Sequence, residues 1–503
     1  MTGSMLVPGR DPIGVRSRRR TRVHLAAVCL LLGSQVATMP AESAARRDFT
    51  NALRRSVAVA GAEDERFPLR DRMAHYLVPG VSIAVIENCR IVDARGFGRA
   101  APGGGPVTGR TLFQAGSISK TFTAVAALRL VERGTLSLDG DVRPRLTSWT
   151  LPDSPLLEGR TLTLRGLLSH TAGINQEGGI GYSRQAPLPS LTDILQGRPP
   201  ANTSPIRLVN EPGAWRYSGG GYYITQALLT DSTGLDYRQL MRRLVFDPLR
   251  LNQSSFSQPL DERLHRLAAR AVGPDGAPLE EGWLVNPELA AGGLWTTPSD
   301  IARLANAMAR AVRGEEQRFL GPVSARELMA RGPGNWGLGV DLGPAGTARR
   351  FGHSGHNVGF VSEFVMYPDS CQGAAVMTNA DQGGWLVAEI LRAIGDTYGW
   401  PDRTPSPVQQ AIPLSSAIEA RFVGTYRLRD FPAERFIVSR RGGGLYWARL
   451  GHVGRELLAA SDGRLFSPDS RMSLEVADPA VARAQTLTLS FGGGSNVAER
   501  VED

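Results

Sequence analysis

The chain has 503 residues, 42% hydrophobic and 21% charged, a mix that fits a globular protein of two or three domains and excludes a disordered or fibrous one. Its formal charge is +9, but within the first 45 residues six arginines (10, 16, 18, 19, 20 and 22) face only Asp11 and Glu42, so the remainder carries 9 − 4 = +5. With no basic stripe interleaved with aromatics, nucleic acid is not an expected partner.

Residues 1–45 read as an export signal. Arg16 to Arg22 form a basic stretch, Val23 to Ala37 (VHLAAVCLLLGSQVA) a short apolar one, and Ala41 to Ala45 a small-residue cleavage region. The expectation is an exported protein, periplasmic or secreted; the alternative is a tether formed by the uncleaved segment. No later stretch is apolar enough to span a bilayer. Cleavage would leave Cys89 and Cys371, an even pair that suggests one disulfide in an oxidising compartment. There is no CxxC and no Cys/His cluster with zinc spacing, so neither a metal nor a cofactor is expected.

Residues 46–400 read as the main domain. VSIAVIE and IVDARGFG, joined by a turn at Asn88 to Arg90, predict a hairpin. Gly96-Phe97-Gly98 with Ala101 loosely mimics a dinucleotide fingerprint, but Pro102 to Pro106 cannot start the helix such a site needs. From Ser117 a helix is predicted with Phe122, Val125, Leu128 and Val131 on an apolar face and Gly134 as its stop. Further helices are expected over 164–169, over 223–232 before Gly234, over 237–245 behind Asp236, and over 301–312. Gly219 to Gly221 read as a tight turn. Between Arg350 and Asn379 the pattern returns to strands, FVSEFVMY and AAVMTN. Strands at both ends of a helical middle predict an α/β (α+β) fold, one antiparallel sheet flanked by helices with a mostly helical inserted region. The Pro-rich residues 401–415 read as a linker. Residues 416–503 hold short strand-like runs between Gly-rich turns and predict a small β-barrel-like domain without chemistry of its own.

Chemistry concentrates at Ser117-Ile118-Ser119-Lys120. Residues i and i+3 share a helix face, so the hydroxyl and the amine can lie side by side. A serine needs a neighbouring base to become a nucleophile. Lys120 is the only lysine in the chain, so 57 − 1 = 56 of its basic residues are arginine. A chain that uses arginine everywhere else has kept one amine able to lose its proton, three residues after a serine at a helix start.

FQAGSISKTFTA, RYSGGGYY and FGHSGHNVGF, in that order, resemble the three motifs of serine β-lactamases, penicillin-binding proteins and their esterase and peptidase relatives, in the class C-like branch. VPGVSIAVI, LLSHTAGI and AAGGLWTTPSDIARL resemble them too, from about Pro79 to Asn379. The resemblance implies that Ser117 attacks an acyl carbon and that Lys120 and Tyr217 share the general-base role. It implies that His353, with Ser354 and Gly355, replaces a Lys-Thr-Gly strand and positions Tyr217 or the substrate. It also implies an oxyanion hole from the backbone N–H groups of Ser117 and His356, and a Cys89–Cys371 disulfide between hairpin turns of adjacent strands. The second motif departs from the family pattern: Gly219 stands where an Asn usually holds a β-lactam's acylamino group. His170 reads as structural, and Trp215, Trp295 and Trp336 as core or cleft walls.

The expected activity is hydrolysis of an ester or amide bond in a small-molecule or peptide substrate (a short D-amino-acid peptide, an acyl ester or a β-lactam) through an acyl-enzyme. A penicillin-sensing protein that stays acylated and an acyltransferase are the alternatives. An α/β-hydrolase is disfavoured by the lack of a GxSxG elbow, and no HExxH supports a metalloenzyme.

Overall fold

Strand Gly80–Glu87 is apolar at nearly every position because both its faces are covered. Val81, Ile83 and Val85 enter one core and Ala84 and Ile86 another, the period-two division of a strand buried on both sides. The structure is a computed structural model that describes residues 47–501 except 177, 316, 479–480 and 493; the proposed export signal lies outside the described residues.

Five antiparallel strands, Gly80–Glu87 (β1), Arg90–Gly98 (β2), Phe351–Asn357 (β3), Phe360–Tyr367 (β4) and Gln372–Thr378 (β5), stand in the order β2-β1-β5-β4-β3. The segments at the two ends of the domain thus form one sheet, with β3 at its edge. Four helices matter here: Ile118–Glu132 (α1), Gly220–Thr233 (α2), Pro298–Val312 (α3) and Gly383–Tyr398 (α4). Ile301, Leu304 and Met308 of α3 share the core of Ala84 and Ile86. Leu386, Val387, Ile390 and Ile394 of α4 cover the opposite face. This last helix is absent from the sequence reading.

Several boundaries differ from expectation. Helix α2 starts at Gly220, so Gly219 to Gly221 open a helix instead of a turn; a Cβ at Gly220 would lie 2.6 Å from the Asn175 carbonyl oxygen, which requires glycine. The 237–245 helix is α-helical only over Tyr237–Met241 and continues with π-type hydrogen bonding over Arg242–Phe246. Helix α1 has no single apolar face. It is buried all round, Lys120, Thr121 and Thr123 included, and its polar groups are bonded locally: Thr121 donates to Gly339 O at 2.8 Å and Thr123 to Ala290 O at 2.9 Å.

Residues 401–415 are more than a linker. Val408–Gln409 pairs with Ala58–Val59, and Ala411–Ile412 pairs with Ala459 and Ala460. Beyond a short helix, Ser416–Phe422, the strands 424–428, 435–441, 444–449, 455–460, 465–466, 473–475, 486–491 and 494–501 pair in sequence. The last returns to the first, which closes an antiparallel barrel. Tyr426, Phe436, Leu445, Leu457 and Leu474 fill its interior. A buried ion cluster ties barrel to main domain: Arg72 donates to Glu389 of α4 at 2.7 Å and to Asp469 of the barrel at 2.7 Å. Cys89 and Cys371, in the β1–β2 and β4–β5 turns, have Cα atoms 4.9 Å apart and form a disulfide. Among the described residues no helix is long and apolar enough to cross a membrane, and no group of three His, Cys, Asp or Glu could hold a metal ion.

Candidate active site

Ser117 sits immediately before the first turn of α1 with φ −65° and ψ −8°, and its hydroxyl caps nothing. Instead it accepts a hydrogen bond from Lys120 Nζ at 2.9 Å, the i, i+3 contact that the helix geometry allows. The amine's second bond goes to the Ala291 carbonyl, also at 2.9 Å. Lys120 is 1% exposed, and among the described residues no carboxylate stands within ion-pair distance. Burial therefore pushes its pKa down to about 7, low enough for the amine to accept a proton near neutrality. The neighbouring serines are engaged with backbone. Ser119 Oγ donates to Gly116 O at 2.6 Å, and Ser218 Oγ donates to Asn175 O at 2.8 Å and accepts from Gly221 N.

Two glycines let the start of α1 lie against edge strand β3. Gly116 has φ +51°, and a Cβ there would be 2.5 Å from His356 N. A Cβ at Gly355 would be 1.9 Å from Ala115 O. Ser362 of β4 donates to that same Ala115 carbonyl at 2.9 Å, which fixes the approach. The His356 amide is thereby brought beside the Ser117 turn, while its imidazole bonds Asp381 at 2.9 Å. Ser354 is exposed and by strand alternation shares the face of His356, so its side chain does not join the cluster.

On the other side of Lys120 the aromatics converge. Its Nζ lies 5.1 Å from the Tyr217 ring centroid and 5.6 Å from that of Tyr222. Tyr217 packs against His170 at 4.3 Å, Trp336 at 5.8 Å and His353 at 6.4 Å between ring centroids. His353 Nδ1 donates to the Ser354 carbonyl at 2.5 Å, so Nε2 carries the lone pair, and that atom is buried without a partner. Burial, then Lys120, pushes the His353 pKa down to about 3, and the ring is neutral at physiological pH. His170 is the complement: its Nδ1 accepts from Ser218 N at 3.0 Å, which fixes the backbone beside Tyr217.

The structure thus brings together Ser117, Lys120, Tyr217, His353, and the backbone of Gly355 and His356. It adds Ala291, His170 and Trp336, to which sequence reasoning gave no site role. The AAGGLWTT motif was a usable signal for Ala291, whose contribution is its carbonyl.

The Beta-lactamase family model matches residues 69–398, a span holding every one of these groups. The chain belongs to the beta-lactamase family. Within that family, Penicillin-binding protein 4 of Amycolatopsis lactamdurans is 27% identical over 385 residues, which cover 69% of this chain and 94% of that protein. Penicillin-binding protein 4* of Bacillus subtilis (strain 168) is 24% identical over 393 residues, 72% of this chain and 81% of the relative. Among solved structures, the octameric penicillin-binding protein homologue from Pyrococcus abyssi superposes with a TM-score of 0.55 at 22% identity, covering 86% of this chain and 98% of that one. At that identity the likeness is one of fold, and its coverage is wider than the 69–398 family span.

Proposed function

We propose that this beta-lactamase-family protein is an exported serine hydrolase that cleaves an ester or amide through an acyl-enzyme on Ser117. The observation that carries this reading is the only lysine of the chain, buried, with its pKa near 7, bonded to the Ser117 hydroxyl at 2.9 Å. Lys120, with Tyr217 beside it, takes the Ser117 proton as Oγ attacks the acyl carbon. The Ser117 and His356 N–H groups receive the carbonyl oxygen, a contribution of about 3 kcal/mol per donor. The proton then passes to the leaving alkoxide or amine, and water, deprotonated by the same base, releases the acid.

His353 shapes the substrate. Neutral and with its Nε2 lone pair unpartnered, it offers no counter-charge to a free carboxylate. Gly219 brings no amide for a β-lactam side chain. Together these features favour acyl esters and amides without a free carboxylate, short D-amino-acid amides included, over β-lactams and substrates with a C-terminal carboxylate. Export is supported by the N-terminal pattern, by the Cys89–Cys371 pair and by relatives named as penicillin-binding proteins.

The test is steady-state turnover of p-nitrophenyl acetate, D-alaninamide and a D-Ala-D-Ala-terminated peptide. Continuous turnover is expected, with the two substrates that lack a carboxylate preferred. One equivalent of product followed by silence would make the protein a sensor, and transfer to an added amine in preference to water would make it an acyltransferase.

A further inference from the structure

Behind the oxyanion strand, where the mouth of the barrel meets the main domain, lies a cavity of about 440 Å³ whose wall includes His356 but none of Ser117, Lys120, Tyr217 and His353. It falls in the size range of small-molecule sites, roughly 300–1,000 Å³, and barrel mouths are a recurrent place for them. Trp447 and Arg455 sit directly opposite each other on adjacent barrel strands, as do Leu445 and Leu457 two residues along. Because those leucines belong to the barrel interior, Trp447 and Arg455 stand on the inward face at the mouth.

Both carry a donor with nothing to bond. Arg455 is 5% exposed; its Nη2 donates to Gln382 Oε1 at 3.0 Å, but its Nε is buried without a partner. The indole Nε1 of Trp447 is likewise buried and unpartnered. Among the described residues no carboxylate lies within ion-pair distance of Arg455. The guanidinium lies 5.0 Å from the Tyr76 ring centroid and feels the charge of Asp469, which is itself held by Arg72; what remains unmade are two buried donors, its Nε and the Trp447 N–H.

A third source of positive potential faces the same space. The sixteen-residue helix α4 begins at the cavity, with Gln382, Gly384 and Trp385 in its wall, and its N-terminus has no side-chain cap. One carboxylate, Asp381, also lines the wall, with His356, Arg449 and His452 near it. Asp381 is bonded to His356 at 2.9 Å, Arg449 is paired with Glu434 at 2.7 Å, and His452 adds a further basic group. The rest of the wall is apolar: Val361, Ala388, Val453 and the rings of Trp385 and Trp447. This volume far exceeds an inorganic oxyanion, and its apolar side asks for hydrocarbon.

We propose that the cavity at the barrel mouth binds a carboxylate with an apolar body, its oxygens on Arg455 and Trp447 and its chain along Trp385 and Val361. The site is separate from Ser117 and independent of what Ser117 hydrolyses.

Octanoate is the probe, titrated calorimetrically into the full chain carrying Ser117→Ala so that nothing is turned over. One-to-one binding is expected, with octanol and inorganic phosphate each at least about tenfold weaker because each supplies half of the ligand. Arg455→Met and Trp447→Phe should each weaken octanoate at least about tenfold, and Ala388→Trp, which fills the space, should abolish it. Thermal melts confirm that each variant is folded. If Arg455→Met does not fold, the other two variants decide. No octanoate binding, binding unchanged in Ala388→Trp or Trp447→Phe, or phosphate binding as tightly as octanoate would each overturn the proposal.

Discussion

Replacing Lys120 by Arg separates an amine needed for proton transfer from one needed only for charge. In the structure the ordinary pKa of 10.5 has fallen to about 7. At about 1.4 kcal/mol per pH unit, 10.5 − 7 = 3.5 means that an ammonium held there costs on the order of 5 kcal/mol. Lysine sheds that cost by giving up its proton only as pH rises above about 7, so about 1.4 kcal/mol of it is gone at pH 8. Arginine cannot, because its pKa stays above about 12. Helix propensity alone, nearly equal for the two residues, predicts a well-folded variant; the burial of position 120 overturns that expectation. Lys120→Arg should therefore lose on the order of 2–4 kcal/mol of stability at pH 8, about 1.4 from the retained charge and the rest from a bulkier group in a packed site, as well as at least about a hundredfold in kcat/KM. The neutral control Lys120→Met should lose comparable activity and clearly less stability. Ester hydrolysis and urea unfolding at pH 8 read both quantities. An arginine variant with near wild-type stability and more than about a third of the activity would refute the reasoning.

Other outcomes follow from the same geometry. Since Lys120 must be neutral to accept a proton, kcat/KM for an uncharged ester should climb as pH rises through about 7; His353, already neutral, adds no second step between about pH 5 and 9. The lowered amine pKa also means that between about 7 and 10.5 the unfolded chain holds the extra proton, so stability rises with pH across that window. Comparing urea unfolding of wild type and Lys120→Met over the window isolates this slope, which the variant should lack. Gly355→Ala places a methyl 1.9 Å from Ala115 O and should displace β3 from Ser117, lowering kcat/KM at least about a hundredfold while the protein still folds. The disulfide joins residues 282 apart, so reduction should lower the melting temperature and remove up to ~5 kcal/mol; two free thiols titrating in denatured, unreduced exported protein would contradict the bond.

The parts of the site that were legible in the sequence are the local ones. Ser117 and Lys120 are three residues apart on one helix, and the absence of any other lysine isolates the pair. The β1–β2 hairpin declares itself through two runs rich in β-branched residues and an Asn88–Arg90 turn. What the sequence hides is contact made through backbone or from a distance. Ala291 serves Lys120 with a carbonyl that any residue would carry, and His170 acts by holding the Ser218 amide. Strands Leu465–Phe466 and Ser473–Glu475 are too short to show a period, so the pairing that closes the barrel was not legible although the domain's β-barrel-like character was. Helix α4 is a different kind of miss. Leu386, Ile390 and Ile394 with Gly399 behind them form a regular helical signal. Helix α1 misled in the opposite direction, because a helix enclosed on all sides shows no face to read.

The central claim is that Ser117 carries the acyl group, and covalent labelling tests it most directly. Treated with a fluorophosphonate, the wild-type protein should gain one adduct by intact mass, mapped by peptide sequencing to Ser117. Folded Ser117→Ala should take none, and Lys120→Met should label at least about a hundredfold more slowly. An adduct on Ser119, Ser218 or Ser354, or undiminished labelling of Ser117→Ala, would contradict the account.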